Sequence, residues 1–532
     1  MAGLPILSWI VFTPLSGALL LYIMPVFSER ADLRGSRSRI FSLLISLLVL
    51  GMTGLLLYRF NPQESGIQFA EHTPWVSAFG ISYSLGVDGI SLFLVALTTF
   101  LMPLVVLASE TVRKHVRAYL ACLLVLESAM LGTFLALDLF LFYVFWELVL
   151  APMYFIIGIW GGKRRIYATL KFVLFTVTGS VLMLVAIMYL AWSFYLQHGV
   201  LTFMLDELLT GTSLSLRGEY WLFAMFALAF AIKIPLFPLH TWLPDAHVEA
   251  PTGGSVILAG VLLKMGLYGF IRFAYPLFPR AAEIFGPFIL GLAVIGIIYG
   301  ALVAWAQTDI KKLVAYSSVS HLGFCVLGFA AFSVVSLSGA VFQMLSHGIA
   351  TGALFLSVGV LYQRRHTREI SEFGGLASQM PLFAFLFMIF VLTSLALPLT
   401  SGFTGEFMIL AGSFKTCPWY TAAAVAGVVL GAVYMLTLYL RTMYGELDES
   451  KNAALADLTR IELWTLAPLA LMALYMGLFP GAVVSRIEPT AGVYVEFVNN
   501  RRETLKRIEA AAQAQETAEA RGVVAASGEG EP

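Results

Sequence analysis

Charge is what this chain has least of. Asp, Glu, Lys and Arg make up 12% of its 532 residues, about half the roughly 25% of an ordinary soluble domain. Its mean hydropathy is +0.86. A chain so composed cannot cover itself with polar surface in water, so its solvent is lipid. An excess of either sign is missing too: 32 basic residues balance 32 acidic ones, which removes the electrostatic footprint a nucleic-acid partner requires. Cysteine is scarce, and Cys122, Cys325 and Cys417 stand far apart without a CxxC or a Cys/His cluster. No disulfide framework, metal site or iron–sulfur site is therefore expected. A GxGxxG fingerprint is also lacking, and the two deep histidines fall on different expected helices, which disfavours a membrane dehydrogenase or haem protein. The segment Met1–Pro14 has neither a basic n-region nor a small-residue cleavage site, and reads as the start of a retained first helix.

What the chain does have is long apolar runs. Stretches of about 18 or more mostly apolar residues occur at 5–26, 40–58, 86–109, 118–136, 138–159, 170–195, 220–238, 254–275, 284–305, 313–332, 337–362, 381–412, 419–440 and 463–483. The expected fold is thus an all-α polytopic membrane protein of about fourteen helices, with Pro and Gly breaking the seventh and twelfth. The basic residues sort accordingly. One set of alternate loops holds nineteen, from Arg30, Arg34, Arg37 and Arg39 through Arg113, Lys163, Lys311 and Arg364 to Arg460; before the last helix the other holds only Arg59, Arg217, Arg272, Arg280 and Lys415. By the positive-inside rule the first set faces the cytoplasm, so both termini lie outside. From Asn499 the composition turns polar and reads as a short surface helix followed by disorder.

A charge at the bilayer centre costs about 2.5–3.5 kcal/mol on insertion scales, so each one needs a partner, water or a purpose. Glu127 and Glu147 lie in the fourth and fifth expected helices, Lys233 and Lys264 in the seventh and eighth, His321 and His347 in the tenth and eleventh, and Glu406 in the twelfth. Acids, bases and imidazoles on successive helices suit proton relay, because burial and neighbouring charge tune when each group holds its proton. Glu147 with Lys233 is the candidate switchable pair, or else a static ion pair bracing two helices. Lys264 is a candidate central relay. His321 and His347 are either intermediates or histidines bonded within helix interfaces, and Glu406 is the terminal acid. Glu127 is either a second partner for Lys233 or a packing carboxylate, while Asp138, Asp309 and Glu110 suit helix ends. The connection 240–254, with His240, Asp245, His247 and Glu249, reads as an aqueous entrance or a solvated loop, not a metal site.

Two spacings suggest duplication. Glu147 and His321 are 174 residues apart, and Lys233 and Glu406 are 173 apart. A five-helix unit repeated in tandem would be inverted in the membrane, since five is odd, so helices 4–8 and 9–13 are expected as two inverted five-helix repeats.

The segments FYVFWELVLAPMYFIIGIWGGKRRIYATLKF (142–172), AFAIKIPLFPLHTWLPDAHVEAPTGGSVILAGVLLKMGLYG (229–269), AQTDIKKLVAYSSVSHLGF (306–324) and LTSGFTGEF (399–407) carry a resemblance over about 80–480. The chain resembles the antiporter-like membrane subunits of respiratory complex I, the proton-translocating NADH:quinone oxidoreductase. Glutamate rather than lysine at 406 resembles the M, or chain 4, type. The resemblance implies fourteen helices, with helices 4–8 and 9–13 as two inverted five-helix repeats, and proton movement along mid-membrane depth through Glu147, Lys233, Lys264 and Glu406. It further implies an enzyme-complex subunit with no cofactor of its own; flavin, iron–sulfur clusters, NAD and quinone belong to other subunits. The implied partners are L- and N-type antiporter-like subunits, lipid, water and protons, in a bacterial cytoplasmic membrane. The corresponding division is 1–116 as N-terminal helices, 117–441 as the antiporter-like translocating core, 442–496 as the last-helix region and 497–532 as the polar tail. The alternative is a cation/proton antiporter subunit of a multisubunit antiporter.

Overall fold

A computed structural model describes residues 5–27, 32 and 35–527, with side chains through Ile508 and at Ala510. Arg30 and Arg34 of the first basic cluster lie outside the described residues. The main helices are α1 Ile6–Ile23, α2 Ser36–Arg59, α3 Ser91–Thr111, α4 Val116–Leu135, α5 Leu139–Trp160 and α6 Arg165–His198, then α7 Leu216–Lys233 and α8 Trp242–Glu249. They continue as α9 Thr252–Leu277, α10 Pro279–Trp305, α11 Ile310–Ala330, α12 Val334–Arg365, α13 Pro381–Ser394, α14 Ser401–Phe414, α15 Pro418–Met443, α16 Arg460–Leu478 and α17 Gly481–Ser527. Among the described residues, twelve helices are long and apolar enough to cross a bilayer. The expected seventh run, 220–238, covers α7 and the break that separates it from α8, and the expected twelfth is divided between α13 and α14.

Three expectations need correction. The chain is not wholly helical: β1 Gln68–Val76 and β2 Ile81–Val87 form an antiparallel hairpin from Gln68 opposite Val87 to Val76 opposite Ile81, with the register shifting between Gln68 and Glu71 and again between Pro74 and Val76. A hunt for runs of twenty apolar residues misses it, although Ile81, Tyr83, Leu85 and Val87 alternate with the two-residue period of a strand. The hairpin also caps the first helix, because Glu71 accepts the α1 amides of Leu7 (2.8 Å) and Ser8 (3.1 Å), donors that a helix start leaves unsatisfied. Next, the tail helix is not short. α17 spans 47 residues and passes through Asn499 without a break, its apolar residues Val483, Ile487, Ala491, Val495 and Val498 buried. Finally, the connection from 240 onward is not a solvated loop, since α8 occupies most of it and both His240 and His247 are buried. Pro238 and Pro251 flank a segment whose Trp242, Leu243 and Ala246 face the core, and this apolar face draws the histidines inward with it.

The basic loops meet on one face. The Trp160 indole donates to the Lys114 carbonyl, the Arg164 amide to Glu249, Arg368 to the Val248 carbonyl and to Asp309, and Arg364 forks onto Glu462. The hairpin, the α3 start and α17 meet on the other face. There Ser82 N donates to Asp138, Gly89 N donates to Thr490, Arg280 pairs with Glu219 at 2.7 Å and Lys506 pairs with Glu283 at 2.8 Å. The loop sorting read from basic residues therefore reappears as two physical faces. Asp138 and Asp309 cap α5 and α11 through backbone amides, as their positions at helix ends suggest.

Asp88 links two of these elements, accepting the Ile90 and Ser91 amides at the α3 start while pairing with the buried Arg272 of α9. Removing one member of a buried pair costs about 3–5 kcal/mol, because a charge is left without compensation. Asp88→Ala is expected to lower the melting temperature of the detergent-purified protein by several degrees, as read by intrinsic fluorescence.

Candidate functional site

The α7–α8 break originates in Ile-Lys-Ile-Pro-Leu-Phe-Pro at 232–238. Pro235 and Pro238 have no amide hydrogen, so the helix cannot continue past Lys233. The carbonyls freed by the break find other partners: Ile232 O accepts the Trp242 indole N–H at 2.9 Å, and Ala231 O accepts the Leu236 amide at 2.9 Å. Lys233 is left buried at the end of α7, its ammonium 5.1 Å from the Trp146 ring centroid, within range of a cation–π contact. Glu147, the next residue along α5, acts on Lys233 through its charge, but no ion pair within 4.0 Å joins them among the described residues. The expected pair is therefore separated, with Trp146 as the direct neighbour of the lysine.

Lys264 is fully buried in α9, between two π-helical turns, Leu258–Leu262 and Phe270–Ala274. Its ammonium donates to the Ala259 carbonyl inside the first of these turns and to His347 Nδ1 of α12 at 2.7 Å. Glycine makes this approach possible: a Cβ on Gly348 would stand 2.8 Å from the Gly260 carbonyl oxygen, so α9 and α12 touch backbone to backbone beside the pair. On its other side α9 lies against the end of α7, where a Cβ on Gly266 would stand 2.7 Å from the Phe230 carbonyl. No hydrogen bond joins Lys233 to Lys264 among the described residues.

The second half of the constellation forms where α11, α12, α14 and α15 converge. His321 Nδ1 stands 2.9 Å from Glu406 Oε1, and the same oxygen accepts from Gln343 Nε2 at 3.0 Å. His321 Nε2 has the Tyr434 hydroxyl at 3.2 Å and the Ser394 hydroxyl at 3.3 Å. Gly405, next to Glu406, lies against Gln343 so closely that a Cβ there would meet Gln343 Cα at 2.9 Å. The His321 and His347 rings are 5.9 Å apart, centre to centre. Lys264, His347, His321 and Glu406 thus form one buried succession. Lys233 and Glu147 sit at its α7 end, and Glu127 is elsewhere: it is fully buried, and neither carboxylate oxygen has a hydrogen-bond partner. Of its two readings, partner to Lys233 has no contact behind it. Glu127→Gln keeps the shape and removes only the ionisable carboxyl, so the melting temperature of the detergent-purified protein is expected to stay within a few degrees of wild type, read by intrinsic fluorescence.

The 173-residue offset between Lys233 and Glu406 does not join equal positions relative to their helix breaks. Lys233 closes the helix before its break, whereas Glu406 follows the break at 395–400 and lies in the second half-helix.

Several residues escaped the sequence reading. Trp146, Gln343, Ser394 and Tyr434 touch the charged groups directly. Gln343 was findable, since it lies four residues before His347 on the same helical face; nothing in the sequence singles out Tyr434. His247 of α8 stacks on Phe355 of α12 with centroids 4.6 Å apart, its two ring nitrogens have no partner, and the charges of Lys311 and Lys264 both act on it. Lys311, counted in sequence as a surface cation, is buried and donates to the Ala250 carbonyl at 2.6 Å. It lines a cleft of about 250 Å³ on the basic face together with Glu249, Thr252, Phe355 and Arg368. Lys311 thus lines the basic-face cleft, and His247 is buried against α12, the helix that carries His347.

Comparison with known proteins matches this arrangement. A family model described as NADH:quinone oxidoreductase/Mrp antiporter, TM, matches residues 136–431, and the amino-terminal family of NADH-ubiquinone oxidoreductase chain 4 matches 65–133. NADH-quinone oxidoreductase subunit M of Rhodobacter capsulatus is 46% identical over 507 residues, covering 92% of this chain and 96% of that one. NADH-ubiquinone oxidoreductase chain 4 of Chondrus crispus is 40% identical over 92% of this chain and 97% of its own. A chain of respiratory complex I from Thermus thermophilus superimposes with a TM-score of 0.83 at 35% identity, covering 92% of this chain and 99% of that one. An Mrp complex chain from Dietzia, at 21% identity and a TM-score of 0.77 over 94% of this chain and 56% of its own, shares the fold.

Proposed function

Since the chain belongs to the NADH:quinone oxidoreductase/Mrp antiporter membrane family, we propose that its buried succession Lys233, Lys264, His347, His321 and Glu406 carries protons across the bilayer. The chain is a proton-pumping membrane subunit of NADH:quinone oxidoreductase, of the subunit M, or chain 4, type. The observation that carries the proton line is the Lys264–His347 hydrogen bond lying one ring-to-ring gap of 5.9 Å from the His321–Glu406 pair, all buried inside the protein.

The steps follow from the atoms in contact. The Lys264 ammonium passes a proton to His347 Nδ1, and the imidazole releases its other proton from Nε2, so one ring relays a proton without rotating. The 5.9 Å between ring centres is then crossed by a bridging water or a ring reorientation. His321 hands the proton from Nδ1 to Glu406 Oε1, whose position is fixed by the Gln343 amide. Lys264 is recharged from Lys233, or from the basic face through Lys311 and His247. Glu147 biases Lys233 by its charge, and Trp146 holds the ammonium over its ring, so a small shift of α5 against α7 alters where the lysine keeps its proton.

In this reading the broken α7/α8 and α13/α14 segments each complete one crossing and join the twelve long helices to make fourteen. The even number leaves both ends of the chain on the hairpin face, the outer side of a bacterial cytoplasmic membrane. The segments 4–8 and 9–13 act as two inverted units within a core at 117–441, preceded by helices at 1–116 and followed by the last-helix region 442–496 and the tail 497–532. Neighbours of the L and N type continue the line on either side, while flavin, iron–sulfur clusters and quinone stay in other subunits.

His347→Leu tests the line at its middle. A water can still bridge Lys264 and His321, so NADH-driven acidification of vesicles holding the assembled complex is expected to fall roughly three- to tenfold rather than vanish. Undiminished acidification would remove His347 from the path.

A further inference from the structure

Away from the charged line, on the hairpin face, a cleft of about 260 Å³ opens between α2, α3, α12, α16 and the start of α17. Phe93, Leu97, Leu345, Ile349 and Met472 are among the apolar side chains that line it, and Arg486 stands at its mouth. The volume is enough for several waters at about 30 Å³ each, but the walls offer them almost no hydrogen bonds. Its depth is informative. Leu345 is eleven residues into α12 from Val334, or roughly 16 Å at 1.5 Å per residue. That is about half of a hydrocarbon core some 30 Å thick. The cleft therefore runs from the membrane surface to the midplane, the depth of a single leaflet.

Arg486 is only partly satisfied. One Nη donates to the Ala482 carbonyl of its own helix at 2.7 Å, while Nε is buried without a hydrogen-bond partner, and no carboxylate pairs with the guanidinium among the described residues. A guanidinium at the membrane boundary with spare donors fits an anionic phosphate oxygen, and the apolar slot below it fits an alkyl chain. We propose that this cleft holds one anionic phospholipid, with an acyl chain reaching Leu345 and Ile349 and the phosphate on Arg486. The inference does not depend on the proton line. It has a local consequence for it, because Leu345 and Ile349 flank His347 in sequence, and a chain packed on them seals that turn of α12 from behind.

The test uses the whole complex reconstituted in vesicles with a trace of phosphatidylglycerol carrying a photoreactive acyl chain, and in parallel with the matching phosphatidylcholine probe. Irradiation is expected to label peptides containing residues 93–100 and 472–486, at least fivefold more with phosphatidylglycerol. Arg486→Ala and the cleft-filling Ala96→Trp should each reduce that labelling at least fivefold, and Arg486→Lys should retain most of it. Equal labelling by the two probes, labelling indifferent to both variants, or the same peptides shielded by a neighbouring subunit that takes up the probe instead would each overturn the assignment. Should Ala96→Trp prevent assembly, the contrast between Arg486→Ala and Arg486→Lys decides alone.

Discussion

Lys264→Met is expected to reduce NADH-driven proton pumping by a factor on the order of 10² or more, the low end of what a positioned proton-transfer group contributes, while the complex remains assembled. The methionine fills the same space in α9 and is at home in an apolar interior, so folding is not the expected casualty. What disappears is the titratable group that reaches both the Ala259 carbonyl and His347 Nδ1. His347 alone does not replace it, because its nearest other relay, His321, lies on the outgoing side. The measurement is the initial rate of lumen acidification in vesicles containing the purified variant complex, normalised to complex content on a native gel. Pumping at the wild-type rate by an assembled complex would remove Lys264 from the route.

Lys233→Ala is expected to have a comparable effect for a different reason. Lys233 sits where α7 ends, against the Trp146 ring and under the charge of Glu147, so that a helix break meets a buried cation. Alanine takes away the group on which that charge acts, so motion of α5 no longer changes any proton's free energy, and redox-driven pumping should fall below about a tenth of wild type. Glu147→Gln supplies a discriminating comparison. If Glu147 works by biasing Lys233, the glutamine variant keeps residual pumping that the alanine variant lacks; if the two residues form a static brace, both variants lose stability of the subunit and neither loses pumping selectively. The two outcomes separate in one preparation by measuring acidification beside the temperature of subunit release.

Much of the fold was legible because lipid imposes few solutions: a long apolar run must become a helix, and the basic loops gathered on one face as their alternation required. The hairpin was not, since β1 carries Glu71, His72 and Pro74 among its residues and lacks any long apolar run. α17 was misread because its composition changes at Asn499 while its backbone does not. The site divided in a similar way. Lys264, His321, His347 and Glu406 could be named because a charge or imidazole in an apolar helix is conspicuous. Their mutual contacts could not be, since these depend on Gly260, Gly348 and Gly405 bringing particular helix turns together. The Lys233–Glu406 spacing was a numerical coincidence with respect to the helix breaks, which fall on opposite sides of the two residues. Lys311 looked like one more surface cation, and only its burial under Ala250 distinguishes it.

One property of α9 and α12 bears on how the chain comes to exist at all. The apolar windows of both helices are 100% buried within the protein, whereas those of α1, α2, α6 and α16 are 28–39% buried. The helices that carry Lys264 and His347 consequently have no face suited to lipid alone. During synthesis α9 emerges well before α12, its intended neighbour, and a lysine waiting at mid-membrane depth is costly. Insertion of α9 is thus expected to depend on a protein-lined or hydrated neighbourhood until α11 and α12 arrive. The helices that carry the charged line are the ones lipid meets least once the chain is folded.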